Sequence, residues 1–283
     1  CLGAPIVLSE RNDIKRQRVS VPVRLARHAL YRTAAVVTTN RPVDEPILAG
    51  LAGQVPVRTV LNPTPESFLA ACPASSRTVI SVGRFARHKR HGDIICAFGK
   101  LADQFPEWRL RVIGDGPERA ALEGQVARLG LNGRVELPGW SDDIRPELAQ
   151  SAIFVHASEH EGVSNAILEA MAAGLPVVSS EAAVFPRADN QGTTSTPAVF
   201  PTGDVNALVD ELSRLMSDSA LRDQQGRAGS RDLQLITTDA LSAWSPVLRL
   251  ATQRPSSGRC KLVRNPASRM SHPMFRSCRK HTA

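Results

Sequence analysis

Short apolar segments rich in β-branched residues alternate with helical patterns along most of the 283-residue chain. In such a pattern each helix returns the chain to start another strand, so the strands run parallel and helices cover both faces of the sheet. Strands are predicted at residues 78–82, 109–113 and 153–156, with helices over residues 92–104 and 118–129 between them. The pattern predicts an α/β fold with two Rossmann-like parallel-sheet units, of which the N-terminal one is incomplete.

The chain is predicted to have five parts. Residues 1–62 form the remnant of an N-terminal Rossmann-like unit, and residues 63–77, rich in Pro, Ala and Ser, form a linker. Residues 78–236 form the C-terminal Rossmann-like unit, and residues 237–252 form an amphipathic helix that follows it. Residues 253–283 form a basic tail that is expected to be disordered.

Positive charge is concentrated at the C-terminus. The formal net charge is +8, but residues 254–283 hold eight Lys/Arg and no Asp/Glu, which leaves 27 basic and 27 acidic residues elsewhere. Prolines interrupt this tail and it lacks an amphipathic period, so nucleic-acid binding is disfavoured. Translation in a shifted frame is an alternative explanation of the tail.

The first residue, the apolar runs and the cysteines of the chain indicate which kind of protein it is and which cellular compartment it occupies. The chain begins with Cys1 and not with Met, which predicts a fragment that lacks its natural start. No apolar run approaches the ~18 residues that a membrane-spanning helix needs. The five cysteines are scattered and include no CxxC pair, which favours a reducing, cytoplasmic compartment and argues against a disulfide framework or a zinc site.

The segment from Glu161 to Pro176 places two carboxylates eight positions apart across a junction between loop and helix. Ser164 suits an N-cap, residues 165–173 favour a helix, and the Gly-Leu-Pro sequence after them ends it. The free N–H groups and positive dipole end of this helix favour a phosphate in front of Ser164. Glu161 and Glu169 lie too far apart to share a ligand atom, so each is expected to hold different hydroxyls of one sugar-bearing ligand. The alternative is a capped surface helix with two solvated glutamates.

Other candidate loops directly follow predicted strands. Ligands of parallel α/β sheets bind beyond the carboxyl ends of the strands. Four loops meet this condition: Gly83-Arg84, Gly114-Asp115-Gly116, Pro138-Gly139 and residues 158–164. They are therefore predicted to form one site.

The spacing of Glu161 and Glu169 resembles the Glu-x7-Glu motif of retaining, nucleotide-sugar-dependent glycosyltransferases of the family 4 type, also called group 1. Other segments resemble elements of this family in the same order, and the resemblance extends from residue 5 to about residue 250. These segments are Ser9-Glu10-Arg11-Asn12-Asp13, Val60-Leu61-Asn62-Pro63, Ser81-Val82-Gly83-Arg84-Phe85 with Lys89, Val112-Ile113-Gly114-Asp115-Gly116-Pro117 and Val135-Glu136-Leu137-Pro138-Gly139. The resemblance implies a GT-B fold, with an acceptor-side N-terminal domain and a C-terminal domain that binds the donor nucleotide.

The resemblance also implies residue roles. Glu169 would hold the ribose hydroxyls, whereas Glu161 and the amides of residues 162–164 would hold the transferred sugar and the distal phosphate. Arg84 and Lys89 would neutralise the charge that grows on the leaving diphosphate, a task that fixed cations can perform. The implied catalytic residues are thus Glu161, Arg84 and Lys89. The implied donor-binding residues are Glu169, Gly162, Val163, Ser164, Asn165, Gly83, Gly114, Gly116, Leu137, Pro138 and Gly139.

Several residues near these motifs receive more modest predictions. Leu137 to Gly139 would flank the base, while Gly114 and Gly116 are expected to permit a tight turn near the nucleotide. His156 is predicted to be a strand residue with a satisfied side chain, and Trp140 is either a lid over the base or a packing residue. Asp142-Asp143 is expected to begin a helix and lacks the DxD form of a metal motif. A solvated basic loop is expected at Arg87, His88, Arg90 and His91.

The implied donor substrate is a UDP- or GDP-sugar, and the implied acceptor is a glycan, lipid-linked or polysaccharide precursor. The resemblance further implies retention of configuration, with neither a metal nor a cofactor. The predicted location is the cytoplasm, and contact with the inner face of the membrane stays open. Residues 181–197 lack the Gly-Pro pair and apolar strand entry of the family, which predicts either a local frame error or a diverged loop.

Alternatives from other functional classes stay open. Without a complete acceptor half, the chain could be a nucleotide-sugar-binding module that does not catalyse. A GT-B sugar-nucleotide epimerase is a second alternative, whereas a phosphorylase is disfavoured because no lysine stands in a cofactor-binding context. A hydrolase is disfavoured because the sequence shows no Ser/His/Asp or Cys/His nucleophile arrangement.

Overall fold

The computed structural model describes residues 4–11, 13–15, 19–60, 62, 76–183, 198–237 and 240–253. Three predicted features lie largely outside the described residues: the linker at 63–77, the divergent loop at 181–197 and the basic tail at 253–283.

The N-terminal part of the described chain contains a three-stranded parallel sheet. Its strands are β1 (Val7–Glu10), β2 (Val36–Thr39) and β3 (Val57–Thr59), in that spatial order, and α1 (Val21–Thr33) and α2 (Glu45–Ala52) connect them. Tyr31, Val37 and Leu48 pack in its core, and the Tyr31 hydroxyl donates to the Glu10 carboxylate at 2.7 Å. Because the strands are parallel, their carboxyl ends meet at one edge of this sheet.

The larger unit is a parallel sheet that, within residues 76–200 as described, has six strands in the order β6-β5-β4-β7-β8-β9. The strands are β4 (Thr78–Val82), β5 (Arg109–Ile113), β6 (Val135–Gly139), β7 (Ile153–His156), β8 (Val177–Ser180) and β9 (Ala198–Phe200). The helices are α3 (His91–Leu101), α4 (Arg119–Arg128), α5 (Arg145–Ala149), α6 (Asn165–Ala172), α7 (Val205–Ser217), α8 (Ser219–Thr237) and α9 (Ala240–Gln253). The α/β class and the parallel strands agree with the prediction.

Helices cover both faces of the larger sheet. Side chains of successive strand residues point to opposite faces, and β7 shows this clearly. Ile153 belongs to the same buried cluster as Phe98 of α3, whereas Phe154 belongs to the cluster of Ile167 and Met171 of α6. The central strands are therefore buried on both sides, which explains their continuous apolar sequences.

The chain reverses its direction across the larger sheet between β4 and β7. From β4 it proceeds outward to β5 and β6, and it then returns to the other side of β4 with β7, β8 and β9. Such a reversal opens a crevice at the carboxyl ends of the two strands, where open α/β sheets bind their ligands.

Two helices differ in length from the prediction. The sequence pattern predicts helices over residues 142–150 and 221–228, whereas α5 begins at Arg145 and α8 spans Ser219–Thr237. In α8 the packing overrides helix propensity, because a Cβ at Gly226 would overlap the carbonyl oxygen of Gly174 after α6. The glycine therefore permits close contact and does not end the helix. No helix in the described ranges has the length and apolar character to cross a membrane.

Candidate functional site

The backbones of the loops after β4 and β5 contact each other at the crevice. The Phe85 N–H donates to the Asp115 carbonyl at 2.8 Å and joins the two loops. Gly114 has a φ of 147° and Gly116 a φ of 155°. A Cβ at Gly114 would overlap the Gly83 carbonyl oxygen, and one at Gly116 would crowd the carbonyl of Phe85. The two glycines therefore permit two backbones to approach closely, whereas the sequence predicts a tight turn at these positions.

A cavity of about 460 Å³ opens beside these loops. Its volume lies in the range of small-molecule sites, about 300–1,000 Å³. The lining comes from the ends of β4 and β5, the segment after β6 and the middle of α6. The lining residues are Val82, Gly83, Ile113, Gly114, Trp140, Ser141, Asp142, Asp143, Ile144, Arg145 and Glu169.

The segment after β6 forms a cavity wall that the sequence did not predict. The prediction that Asp142 and Asp143 begin a helix is wrong, because α5 begins at Arg145 and both aspartates lie in the preceding loop. Asp143 fixes this loop by accepting from the Arg145 N–H at 3.0 Å. Trp140 is 73% exposed, which excludes a core position, and its indole N–H donates to Asp142 at 3.0 Å. Residues 137–139, predicted to flank the base, immediately precede this wall and do not line the cavity.

Glu169 contributes a half-buried carboxylate to the cavity. It lies in the middle of α6, and burial raises its pKa above the usual range. No hydrogen bond or ion pair joins this carboxylate to another residue in the part of the chain that the structure describes. Glu169 is thus a partly desolvated acceptor that faces open space.

Glu161 has the opposite environment. Its Oε1 forms an ion pair with Lys89, accepts from the Ser158 hydroxyl at 2.8 Å and lies 3.1 Å from Nε2 of His156. Burial acts to raise the pKa of Glu161, but the His156 hydrogen bond and the Lys89 charge outweigh it and hold the pKa well below its usual range. His156 lies in β7 with a partnered side chain, as predicted, and its partner is a proposed catalytic residue.

α6, which begins after Glu161 and contains Glu169, starts where the sequence predicts. Ser164 is the N-cap residue of α6, and Gly174 follows the helix with a φ of 78°. However, the predicted cap is wrong in one respect, because the Ser164 side chain makes no capping hydrogen bond. The first-turn N–H groups are therefore not used by this hydroxyl and stay available to an anion.

The prediction of a solvated basic loop before α3 is wrong for three of its four residues. His91 is 3% exposed, and burial, together with the nearby charges of His156 and Lys89, lowers its pKa to about 3. Arg90 forms ion pairs with Asp93 and Glu159. The ring centroid of His88 lies 4.9 Å from that of His160. Arg87 is exposed, as predicted.

The two predicted cations occupy different positions. Lys89 contacts Glu161 and lies beside the crevice. Arg84 is exposed at the end of β4, and within the described residues its guanidinium has no ion pair. Among those residues no cluster of three or more His, Cys, Asp or Glu side chains is placed to hold a metal ion.

The small N-terminal sheet also contacts the Glu161 loop, which the sequence did not reveal. Arg41, after β2, donates to the Glu161 carbonyl oxygen at 2.8 Å. Asn62, after β3, donates to the Val163 carbonyl at 3.2 Å. A Cβ at Gly162 would overlap the carbonyl oxygen of Arg11, which follows β1. The ends of all three strands of the small sheet therefore hold residues 161–163.

Comparison with known proteins gives the family context of this site. Residues 76–218 match the family described as "Glycosyl transferases group 1". The lipopolysaccharide core biosynthesis glycosyltransferase LpsE of Rhizobium meliloti (strain 1021) is 31% identical over 222 residues, which are 75% of this chain and 62% of LpsE. The N-acetyl-alpha-D-glucosaminyl L-malate synthase of Bacillus anthracis is 29% identical over 152 residues, 54% of this chain and 39% of the synthase.

Solved structures share the fold at lower identity. The crystal structure of Anabaena Alr3699/HepE in complex with UDP and glucose has a TM-score of 0.71 and 19% identity, with 88% of this chain and 72% of that one covered. The crystal structure of TarM has a TM-score of 0.74 and 14% identity, with 88% and 50% covered.

The chain spans less than two thirds of the length of the curated relatives named above. The match to the family nevertheless covers just over half of this chain and includes every residue that lines the cavity, Lys89 and the Glu161–Glu169 segment. The chain therefore belongs to the group 1 glycosyltransferases and has their GT-B arrangement of two Rossmann-like parallel sheets.

Proposed function

We propose that the protein transfers a sugar from a UDP- or GDP-sugar to a glycan, lipid-linked or polysaccharide-precursor acceptor. The observation that carries this proposal is the placement of Glu161 and Glu169 on the two sides of the start of α6. Glu169 lies in the cavity wall, whereas Glu161 lies beside Lys89. The arrangement offers separate polar groups to the two ends of one ligand, with a helix N-terminus between them.

Each part of a nucleotide sugar would meet a suitable group. The nucleoside would occupy the cavity, where Glu169 accepts from the ribose hydroxyls. The diphosphate would lie at the start of α6 near Lys89 and Arg84, because free N–H groups and cations stabilise its charge. The sugar would lie at Glu161. Metal-independent transfer with retention of configuration is part of this proposal and is supported by the family membership.

The names of similar proteins support the proposed substrate class. LpsE is named for lipopolysaccharide core biosynthesis, and the HepE structure contains UDP and glucose. The first name supports a glycan or lipid-linked acceptor, and the second supports UDP-glucose as a donor to test first. The proposed location is the cytoplasm, which agrees with scattered cysteines that form no CxxC pair.

Calorimetric titration of UDP, GDP and ADP into the chain, without added metal, tests the donor site. One nucleotide should bind selectively, and Glu169→Ala and Lys89→Ala should each weaken binding about 10- to 100-fold, the cost of losing a charged hydrogen bond. Arg87→Ala is the matched control, because Arg87 is an exposed cation two residues before Lys89. Absence of binding to any nucleotide by a folded chain would contradict the proposal.

Turnover separates the transferase from its two alternatives. A module that only binds would bind nucleotide sugar without transferring or hydrolysing it, whereas an epimerase would release free nucleotide or change the sugar without an acceptor. Transfer in the presence of EDTA, followed by NMR of the anomeric proton of the product, tests metal independence and retention. Loss of transfer with EDTA or an inverted product would refute that part of the proposal.

A further inference from the structure

The Glu161 carboxylate is held through one of its two oxygens. Lys89, Ser158 and His156 all contact Oε1, with the Ser158 hydroxyl at 2.8 Å and His156 Nε2 at 3.1 Å. Oε2 has no hydrogen bond to any described residue, and the Glu161 side chain remains 15% exposed. A ligand can therefore reach Oε2, while Oε1 is fully used by the protein.

Packing fixes the His156 ring in place. His156 is the last residue of β7 and is 2% exposed. Its ring lies nearly parallel to that of Phe154, with centroids 6.3 Å apart and an interplanar angle of 13°, because residues two apart on a strand share a face. The imidazole therefore cannot follow the carboxylate, and Glu161 must orient itself on the imidazole.

We infer that His156 is a positioning residue for the proposed sugar transfer. Its Nε2–H, together with the Ser158 hydroxyl, turns Glu161 so that Oε2 faces the sugar of the donor. This role requires a proton on Nε2, since an ionised carboxylate can only accept hydrogen bonds. The inference rests on the proposed function of Glu161 as the group that holds the transferred sugar.

The contact with Lys89 cannot replace this role when a donor is bound. Lys89 carries a mobile ammonium with three donors, and the diphosphate proposed to bind beside it competes for that charge. The phosphates do not compete for the hydrogen-bond donors of His156 and Ser158. Both residues therefore still donate to Oε1 when Lys89 turns towards the phosphates. The effect of His156 should therefore appear in sugar binding and not in nucleotide binding.

Two substitutions separate hydrogen bonding from packing. His156→Leu removes the donor, whereas His156→Gln loses the ring but keeps an N–H group near the position of Nε2. In calorimetry with the pairs UDP and UDP-glucose, and GDP and GDP-mannose, His156→Leu should weaken the nucleotide sugar about tenfold while the bare nucleotide changes less than twofold. His156→Gln should recover most of the loss. Equal weakening of both ligands in a folded variant would indicate a structural role and overturn the inference.

A double-mutant cycle tests whether His156 acts through Glu161. In a Glu161→Ala background, His156→Leu should cause less than a twofold further loss of nucleotide-sugar affinity, because the side chain that His156 orients is already absent. If the loss of affinity in the double variant equalled the product of the two single-variant losses, His156 would act independently of residue 161. That result would contradict the inference.

The position of the proton on the His156 ring can be measured in the ligand-free protein, independently of the proposed function. Imidazole ¹⁵N NMR at neutral pH, with the His156 signal assigned by its absence from the His156→Gln spectrum, should show a proton on Nε2. A neutral ring with its proton on Nδ1 alone would overturn the inference even if nucleotide sugars bind. Failure of every nucleotide to bind would contradict the proposed donor site, and the NMR result would still decide whether His156 donates to Glu161.

Discussion

The two ends of the Glu161–Glu169 segment differ in how far their carboxylates are satisfied before any ligand arrives. Glu161 has three partners on one oxygen and a lowered pKa, and its backbone is held by the small N-terminal sheet. Glu169 has a pKa raised by burial, and the described residues offer its carboxylate no partner. The segment thus combines a group that the protein has already oriented with one that awaits a ligand.

Two glutamates of one motif can therefore affect the stability of the fold in opposite directions. An ionised carboxylate with good partners stabilises the fold, whereas a half-buried one without partners destabilises it until a ligand donates hydrogen bonds. Glu161, at the loop end of the segment, therefore stabilises the fold. Glu169, at the helix end, is the carboxylate that is left to accept hydrogen bonds from a ligand. Substitutions at each end should change stability in opposite directions.

The largest expected effect comes from the contact that holds the loop end. Arg41 donates to the Glu161 carbonyl and pairs with Asp13 at 2.5 Å and with Asp44, whose carboxylate is fully buried, at 3.4 Å. Arg41→Ala should lower the free energy of unfolding by about 3 kcal/mol, because it removes the cation paired with the fully buried carboxylate of Asp44. Urea denaturation with Arg32→Ala, an exposed α1 cation, as control measures this loss.

A second variant identifies the cause of that loss. Arg41→Ala combined with Asp44→Asn should recover part of the stability, since an uncharged amide costs less to bury than an unpaired carboxylate. If Arg41→Ala alone lowered the free energy of unfolding by less than about 1 kcal/mol, Arg41 would not hold the Glu161 loop. The loop end would then be no better stabilised than the helix end.

A smaller effect is expected when the Glu161 charge is removed. Glu161→Gln should lower the free energy of unfolding at pH 7 by about 1.5 kcal/mol, the lower end for hydrogen bonds of charged groups. The folded-state pKa of Glu161 is depressed, so its contribution is complete above the usual glutamate value of about 4.3 and disappears as pH falls towards the lower folded value. The gap between the wild-type and variant denaturation curves should therefore narrow below about pH 4. A gap that stays constant on acidification would show that the effect is steric.

Local sequence patterns predicted the framework of the site. The bounds of β4, β5 and β7 agree with the prediction, because apolar strands buried on both faces leave a continuous signal. A turn was predicted at Gly114, and the structure adds a second reason for glycine there, because a Cβ would overlap the Gly83 carbonyl oxygen. Glu161 and Glu169 were recognised because both flank or enter one short helix.

Features that depend on contacts between distant segments were missed. Arg41 and Glu161 are 120 positions apart in the sequence, and no local pattern links them. The burial of His91 was missed because its neighbours are basic, whereas the fold places it behind Gly83 at the start of α3. The wall at residues 140–145 was missed because Asp142-Asp143 resembles a helix start, while the helix begins one turn later.

The smallest effect is expected at Glu169, and it has the opposite sign. Its folded-state pKa is raised, so the ionised carboxylate destabilises the fold above that raised value, and the cost is absent below the usual value of about 4.3. Glu169→Gln should therefore raise the free energy of unfolding at pH 7 by a few tenths of a kcal/mol, a melting shift of about 1 °C, with no difference at pH 4. Scanning calorimetry of this variant beside Glu161→Gln gives each a matched control, because both remove one carboxylate charge from the same segment. A lower melting temperature for Glu169→Gln would show that Glu169 is already satisfied without ligand, and the two ends of the segment would then be alike.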